Sequence, residues 1–313
     1  MTQEHYLVVV TFSRRHFLAA AGSVAALAAC GSDSPKSSGG TQSSTGGSAP
    51  EGSVPAVPVD AALPDKFAVV QRFPAPLFVP GEVRLPVSIA DNDKMVGAGP
   101  ATINGWVEDF NKVKITDVVG TRRAVGIATP YWEFRAQIPK AVVYTLRLEG
   151  DDGFGASFEA YEPADLEIPL SGTKLPPFDT PTVDNHRGVE PYCTRTPEPC
   201  PFHDITLTEA LKSGKPVAYM VGTPAHCQTG TCAPGLEFLI KEHERVGDKV
   251  VMVHADVYTD DTATVVAEAV NLLRINFEPV IYLCTADGTL VDHIEGVWDQ
   301  SELTERVDKL LAL

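Results

Sequence analysis

Positive charge is scarce in this chain of 313 residues: 25 Lys and Arg stand against 41 Asp and Glu, a formal net charge of −16. Nucleic acid and anionic membrane surfaces demand basic patches, so neither is an expected partner of the folded part. Long apolar runs are scarce as well. The run inside residues 11–31 spans about fourteen residues, short of the ~20 that a membrane-crossing helix needs. Residues 31–58 are Ser/Gly/Thr-rich and then Ala/Pro-rich, with almost no large apolar side chains. Such a stretch buries no core and is expected to be a flexible tether. The chain as a whole is 44% hydrophobic and 21% charged, an ordinary globular balance, and its length leaves room for two domains.

Six cysteines are present: Cys30 alone, the close pairs Cys193/Cys200 and Cys227/Cys232, and Cys284 inside an apolar run. Close pairing is what an oxidising compartment permits. Residues 11–31 read Thr-Phe-Ser13-Arg14-Arg15-His16-Phe17-Leu18, then a small-residue apolar region ending Leu27-Ala28-Ala29-Cys30. The arginine pair, apolar region and small residues describe a secretory signal. Ser-Arg-Arg-x-Phe-Leu resembles the twin-arginine export motif, and Leu-Ala-Ala-Cys resembles a bacterial lipobox. That resemblance implies a signal over 1–30, a lipid-modified Cys30 that anchors the mature chain, and a tether over 31–63 on the extracytoplasmic face of the membrane.

Residues 64–171 read as β structure. Separate strands are expected around Val83–Ile89, Ile103–Val107, Tyr131–Ala136, Val142–Glu149 and Phe154–Phe158. In the fourth, Val142, Tyr144, Leu146 and Leu148 alternate with polar residues, so one face is buried. Short strands with Pro/Gly punctuation predict an all-β, immunoglobulin-like sandwich, with Trp106 and Trp132 in its core and no catalytic cluster. Residues 172–203 are Pro-rich and expected to link two domains. Within them six residues separate Cys193 from Cys200, bent by Pro197 and Pro199, which points to a structural disulfide. A metal site with His203 is the other reading, but zinc takes four ligands and only three candidates lie nearby. No metal and no cofactor are expected.

The most informative stretch is Lys215 to Gly235. Val217–Val221 is an apolar, partly β-branched run that reads as a buried strand, stopped by Gly222-Thr223-Pro224. Cys227 and Cys232 flank Gln-Thr-Gly-Thr, and Pro234 opens a helical pattern that runs to about Val246. A helix N-terminus favours a thiolate over a thiol, and the thiolate is the attacking species. Gly230 lets the loop fold back so that the pair can close as a disulfide. Further on come a strand at 250–256, a helix at 262–273, a strand reaching Cys284, an Asp287-Gly288 turn, a strand to Gly296 and a closing helix at 301–311.

From Asp204 to Leu313 this order resembles the thioredoxin superfamily, in particular its membrane-anchored extracytoplasmic members. The resemblance implies a central mixed sheet flanked by helices, an α/β domain after the β-sandwich. It also implies a cis Pro279 facing the active site, with the backbone beside Glu278 free to pair with an extended substrate. Departures are visible. Four residues, not two, separate the cysteines. His226 stands where the family has tryptophan, and the family's buried acid is missing near Val221. Spacing to the next strand makes Cys227 the nucleophile, whereas Cys232-Ala-Pro234-Gly resembles Cys-Gly-Pro-Cys and makes it Cys232; both registers stay open.

The implied function is a thiol–disulfide oxidoreductase that uses Cys227 and Cys232. His226, Glu278 and Pro279 lie at the substrate. Its partners would be protein dithiols or disulfides and a membrane electron donor or acceptor. Two alternatives stand beside it. One is a non-catalytic binding or scaffold lipoprotein with a fixed disulfide. The other is a Sco-like copper-handling protein drawing on His226, His254 and His293. Cys284 is expected to be a buried, inert thiol.

Overall fold

The computed structural model describes residues 61–75 and 78–313. The signal, the Cys30 anchor and nearly all of the tether lie outside the described residues. No described helix is long and apolar enough to cross a membrane.

The first half is all β. Strands β1 (Ala68–Gln71), β2 (Gly81–Asp91), β3 (Lys94–Met95), β4 (Thr102–Asp109), β5 (Lys114–Arg123), β6 (Tyr131–Ile138), β7 (Val143–Leu148) and β8 (Ala156–Glu159) pair along one antiparallel path, β1-β2-β6-β5-β4-β7-β8, with β3 on β2. Single bridges from Phe67 to Asp151 and from Phe78 to Ala160 bring the two ends of the path together. The result is a nearly closed, barrel-like sheet whose opposed walls share a core as the layers of a sandwich do. On β7, Tyr144, Leu146 and Leu148 point inward as the alternation requires. The Tyr144 hydroxyl donates back to the Lys140 carbonyl at 2.9 Å, the bond a tyrosine corner makes in immunoglobulin-type sandwiches.

Trp132 is fully buried in this core. Trp106 is not a core residue. It lies on the outer face, its Nε1 donating to Glu108 and the Arg147 guanidinium lying over its ring at 5.7 Å. An indole with a polar tip and a cation on its face is satisfied at a half-exposed site.

The second half contains α1 (Leu207–Lys212), β9 (Val217–Val221), α2 (Cys232–Val246), β10 (Val251–Ala255), α3 (Glu268–Leu272), β11 (Val280–Cys284), β12 (Leu290–Glu295) and α4 (Gln300–Leu311). Its sheet runs β10-β9-β11-β12, with β10 parallel to β9 and the other two pairs antiparallel. This is a mixed sheet of the kind the resemblance implied. All five residues of β9 are buried, because a central strand covered on both faces has no polar side to alternate with. The helix expected over 262–273 shrinks to α3. The Asp260 carboxylate accepts the backbone N–H groups of Thr262 at 2.8 Å and Val265 at 3.2 Å, which holds those residues in a turn that competes with helix.

Residues 172–203 are not a free connector. Leu175 and Phe178 are buried in the apolar cluster on one face of the sheet, and Cys193, Cys200 and Phe202 in the cluster on the other. Thr180 accepts the Leu207 N–H at 3.0 Å, and Val183 donates to the His203 carbonyl at 3.0 Å. The segment straps the sheet. The β half is held against α4 by buried charge: Arg84 grips both Glu302 oxygens at 2.7 Å and the Val297 carbonyl at 2.7 Å. The Tyr131 hydroxyl also donates to Glu302.

Candidate redox site

Cys227 and Cys232 form a disulfide with Cα atoms 5.9 Å apart, inside the usual bonded range. Gly230 has a φ of 68°, a left-handed conformation that costs glycine little, and it folds the loop back on itself. Helix α2 begins at Cys232, the start that closing the pair requires, and Thr231 makes no side-chain cap bond. Pro234 has no N–H and that of Gly235 goes to the Thr231 carbonyl at 3.0 Å, while the N–H of Cys232 donates to Cys227 Sγ at 3.3 Å. The Thr229 hydroxyl lies 3.2 Å from the same sulfur. Cys227 is half-buried while Cys232 is 0% exposed. An incoming sulfur can reach only the first of them.

Beneath the pair lies a carboxylate that the sequence had assigned to substrate contact. Glu278 Oε2 lies 3.6 Å from Cys232 Sγ and accepts the Thr223 N–H at 2.7 Å. Burial raises its pKa above the ordinary carboxylate value. An acid missing near Val221 thus has a counterpart in the bend just before β11. Pro279 follows in a cis peptide bond, as the resemblance implied. A Cβ on Gly222 would sit 3.1 Å from Pro279 Cβ and 3.6 Å from Cys232 Cβ, so Gly222 is wedged between the two. His226 is not drawn to the sulfurs. Its ring lies edge-on to Tyr258 at 6.4 Å, and among the described residues it makes no side-chain hydrogen bond to either cysteine.

A cavity of 140 Å³ opens beside the disulfide. Residues 229–231 and Pro234 form one wall, and Arg72 with residues 127–129 of the β half form the other. Gly235, which stands where a Cys-Gly-Pro-Cys string would end, packs against Trp298; a Cβ there would come within 2.8 Å of the indole. Nothing larger than glycine fits without displacing that ring.

The structural disulfide expected between Cys193 and Cys200 is not formed. Both are free and buried thiols, and each faces His254 Nδ1, at 3.8 Å and 3.5 Å. His203 Nε2 is 3.3 Å from the same nitrogen. Hydrogen bonding from the Cys200 thiol pulls the Cys193 thiol below the usual range, while burial pushes Cys200 up. The expectation of no metal site rested on counting three neighbours in sequence. The fourth donor comes from β10, a strand 51 residues after His203, and no local spacing reveals it. His293 belongs elsewhere, in a cavity between the halves lined also by Arg84, Glu295 and Arg306. Cys284 is buried and its thiol is pushed up to about 12 by burial, as an inert core thiol should be.

No family model matches the sequence. No curated protein matches it either. Among solved structures, a protein described as thiol:disulfide interchange protein DsbE from Chlorobium tepidum is 16% identical, with 46% of this chain and 99% of that one covered and a TM-score of 0.33. The C-terminal domain of a thiol-disulfide oxidoreductase from Bacteroides thetaiotaomicron is 13% identical over 46% of this chain and 97% of its own, with a TM-score of 0.32. A thioredoxin family thiol:disulfide interchange protein from Chlorobium tepidum TLS is 15% identical over 45% and 98%, with a TM-score of 0.33. At these scores they are likenesses of part of the chain and decide nothing about its chemistry.

Proposed function

We propose that this chain is an extracytoplasmic, lipid-anchored thiol–disulfide oxidoreductase in which Cys227 attacks and Cys232 resolves. The observation that carries it is the asymmetry of the pair: the half-buried Cys227 sulfur accepts the N–H of Cys232 at the start of α2, while Cys232 is sealed beside Glu278. In the reducing direction the Cys227 thiolate attacks a substrate disulfide. One substrate sulfur leaves as a thiolate and a mixed disulfide forms. Glu278 takes the Cys232 proton, and Cys232 Sγ attacks Cys227 Sγ and releases the second substrate sulfur. Two electrons pass to the substrate, and a dithiol reductant must reopen the pair. The oxidising direction is the same sequence reversed.

The β half, read as an immunoglobulin-like module, lines one wall of the cavity beside the disulfide. The arginine pair and the Leu-Ala-Ala-Cys30 string support export and lipid anchoring, with a membrane electron donor or acceptor as redox partner. Replacing Cys232 with serine is expected to trap mixed disulfides through Cys227, and Cys227→Ser to trap none. Failure of the wild-type protein to couple dithiol oxidation to reduction of insulin would overturn the redox reading and leave a scaffold with a fixed disulfide. Cys30→Ser is expected to move the chain from membrane to soluble fractions; an unchanged distribution would refute the anchor.

A further inference from the structure

Four side chains that the redox chemistry does not use converge behind the active site. Cys193, Cys200, His203 and His254 are between 0% and 5% exposed, and their donor atoms all lie within 4.8 Å of one another. A tetrahedral zinc ion with Zn–S of about 2.3 Å and Zn–N of about 2.0–2.1 Å has S···N edges of ~3.6 Å and an N···N edge of ~3.4 Å. The two S···N edges to His254 are 3.8 and 3.5 Å, and the N···N edge is 3.3 Å.

The outer nitrogens fix the tautomers. His254 Nε2 lies 2.9 Å from the Gly222 carbonyl, and His203 Nδ1 lies 3.2 Å from the Pro181 carbonyl. A carbonyl only accepts, so each of these nitrogens carries its proton outward. The inner nitrogens, His254 Nδ1 and His203 Nε2, are left as lone pairs that face one another across a dry interior. Two buried acceptors at that distance repel unless a proton or a metal ion sits between them. Outer hydrogen bonds to backbone carbonyls are also how metal-bound imidazoles are held in orientation. The Cys200 N–H donates to Cys193 Sγ at 3.4 Å, a bond that favours the thiolate. A Cys193–Cys200 disulfide would remove both sulfur donors and leave the facing imidazoles unrelieved.

We propose that Cys193, Cys200, His203 and His254 bind one structural zinc ion. Binding replaces two thiol protons, so two thiolates balance the dication and the cluster is neutral in its buried setting. With four protein donors the coordination is closed, which fits a structural and not a catalytic ion. The ion would pin the strap at residues 193–203 to β10. It would also hold the loop above: Thr194 accepts the Ala225 N–H at 3.3 Å, and His254 grips Gly222. This inference does not rest on the redox reading.

The test is elemental analysis of the full-length protein, produced with zinc in the medium and purified under a non-chelating reductant. One equivalent of zinc is expected, unchanged in the Cys227→Ser/Cys232→Ser double variant and lost in Cys200→Ser. His203→Gln is expected to weaken zinc at least ~10-fold in a chelator competition. Should Cys200→Ser fail to fold, the wild type decides. After exchange with cobalt(II) alone it must show the strong visible bands of a tetrahedral ion and a thiolate charge-transfer band. Zinc-free protein with Cys193 and Cys200 titrating as thiols, a Cys193–Cys200 disulfide in protein made with zinc, octahedral cobalt bands, or copper in place of zinc in protein purified from the zinc-supplemented medium would each overturn the assignment.

Discussion

His254 Nε2 meets the carbonyl of Gly222 at 2.9 Å, and Gly222 in turn lies against both Pro279 and Cys232. One residue therefore joins the buried Cys/His cluster to the disulfide. There is no room for a side chain at this junction. In Gly222→Ala the added Cβ would stand 3.1 Å from the Pro279 ring and 3.3 Å from Met220 Cε; the methionine tip can move aside, the ring at a strand start cannot. A loss of ~1–2 kcal/mol in stability is expected, read by urea unfolding with the disulfide intact. An unchanged midpoint would show that the junction yields.

Glu278 supplies the base for the resolving step in the proposed mechanism. Burial raises its pKa, so the carboxylate form needed to accept the Cys232 proton gains population only above the ordinary carboxylate range. Resolution by the wild type should therefore speed up with rising pH through that raised value. Glu278→Gln should slow resolution by ~100-fold, a usual contribution of a positioned base, and should remove that limb of the profile while first attack by Cys227 persists. Rapid-quench measurement of mixed-disulfide lifetime against pH checks both points.

The two halves are clamped by a fully buried Glu302 carboxylate gripped on both oxygens by Arg84. Arg84→Met strands that charge, with Arg306 at 3.2 Å as a partial replacement. The expected cost is ~3 kcal/mol, because removing one partner of a buried pair leaves the other uncompensated. The double variant Arg84→Met/Glu302→Met should recover much of it. Chemical denaturation of the three proteins measures the difference.

His293 gives a stability signature in pH. Burial, and secondly the nearby Arg84 charge, lower its pKa to about 4, below the ordinary ~6.5 of the unfolded chain. Between those values the unfolded state binds more protons, so stability falls as pH drops from about 6.5 towards 4. With the side chain 21% exposed, solvent screens part of the effect and the loss from this group is ~2 kcal/mol. His293→Gln should flatten that part of the curve, as thermal unfolding at a series of pH values would record.

Much of the second half was legible because its signals are local. The apolar run at 217–221 became β9, and the Asp287-Gly288 turn joined β11 to β12. In the first half β5 escaped notice. Most of its residues face solvent or are half-exposed, with only Val118 and Gly120 buried, so it carries no apolar alternation. The Pro-rich composition of 172–203 suggested a linker, since proline is read as punctuation, yet it also suits an irregular strap that needs few ladder bonds. The roles of Glu278 and His254 depend on which strands lie side by side, and spacing along the chain contains no such information. Two sequence registers left either sulfur as the attacker, and the proposed order rests on side-chain burial, a tertiary quantity in which Cys227 and Cys232 differ.

The strap has a practical corollary for dissecting the molecule. A truncation that begins at Asp204, the first residue of the thioredoxin resemblance, would keep every strand of the second sheet. It would nevertheless strip away Leu175 and Phe178 from one face, and Cys193, Cys200 and His203 from the other. The smallest excised piece with its hydrophobic surface covered has to start upstream of Leu175.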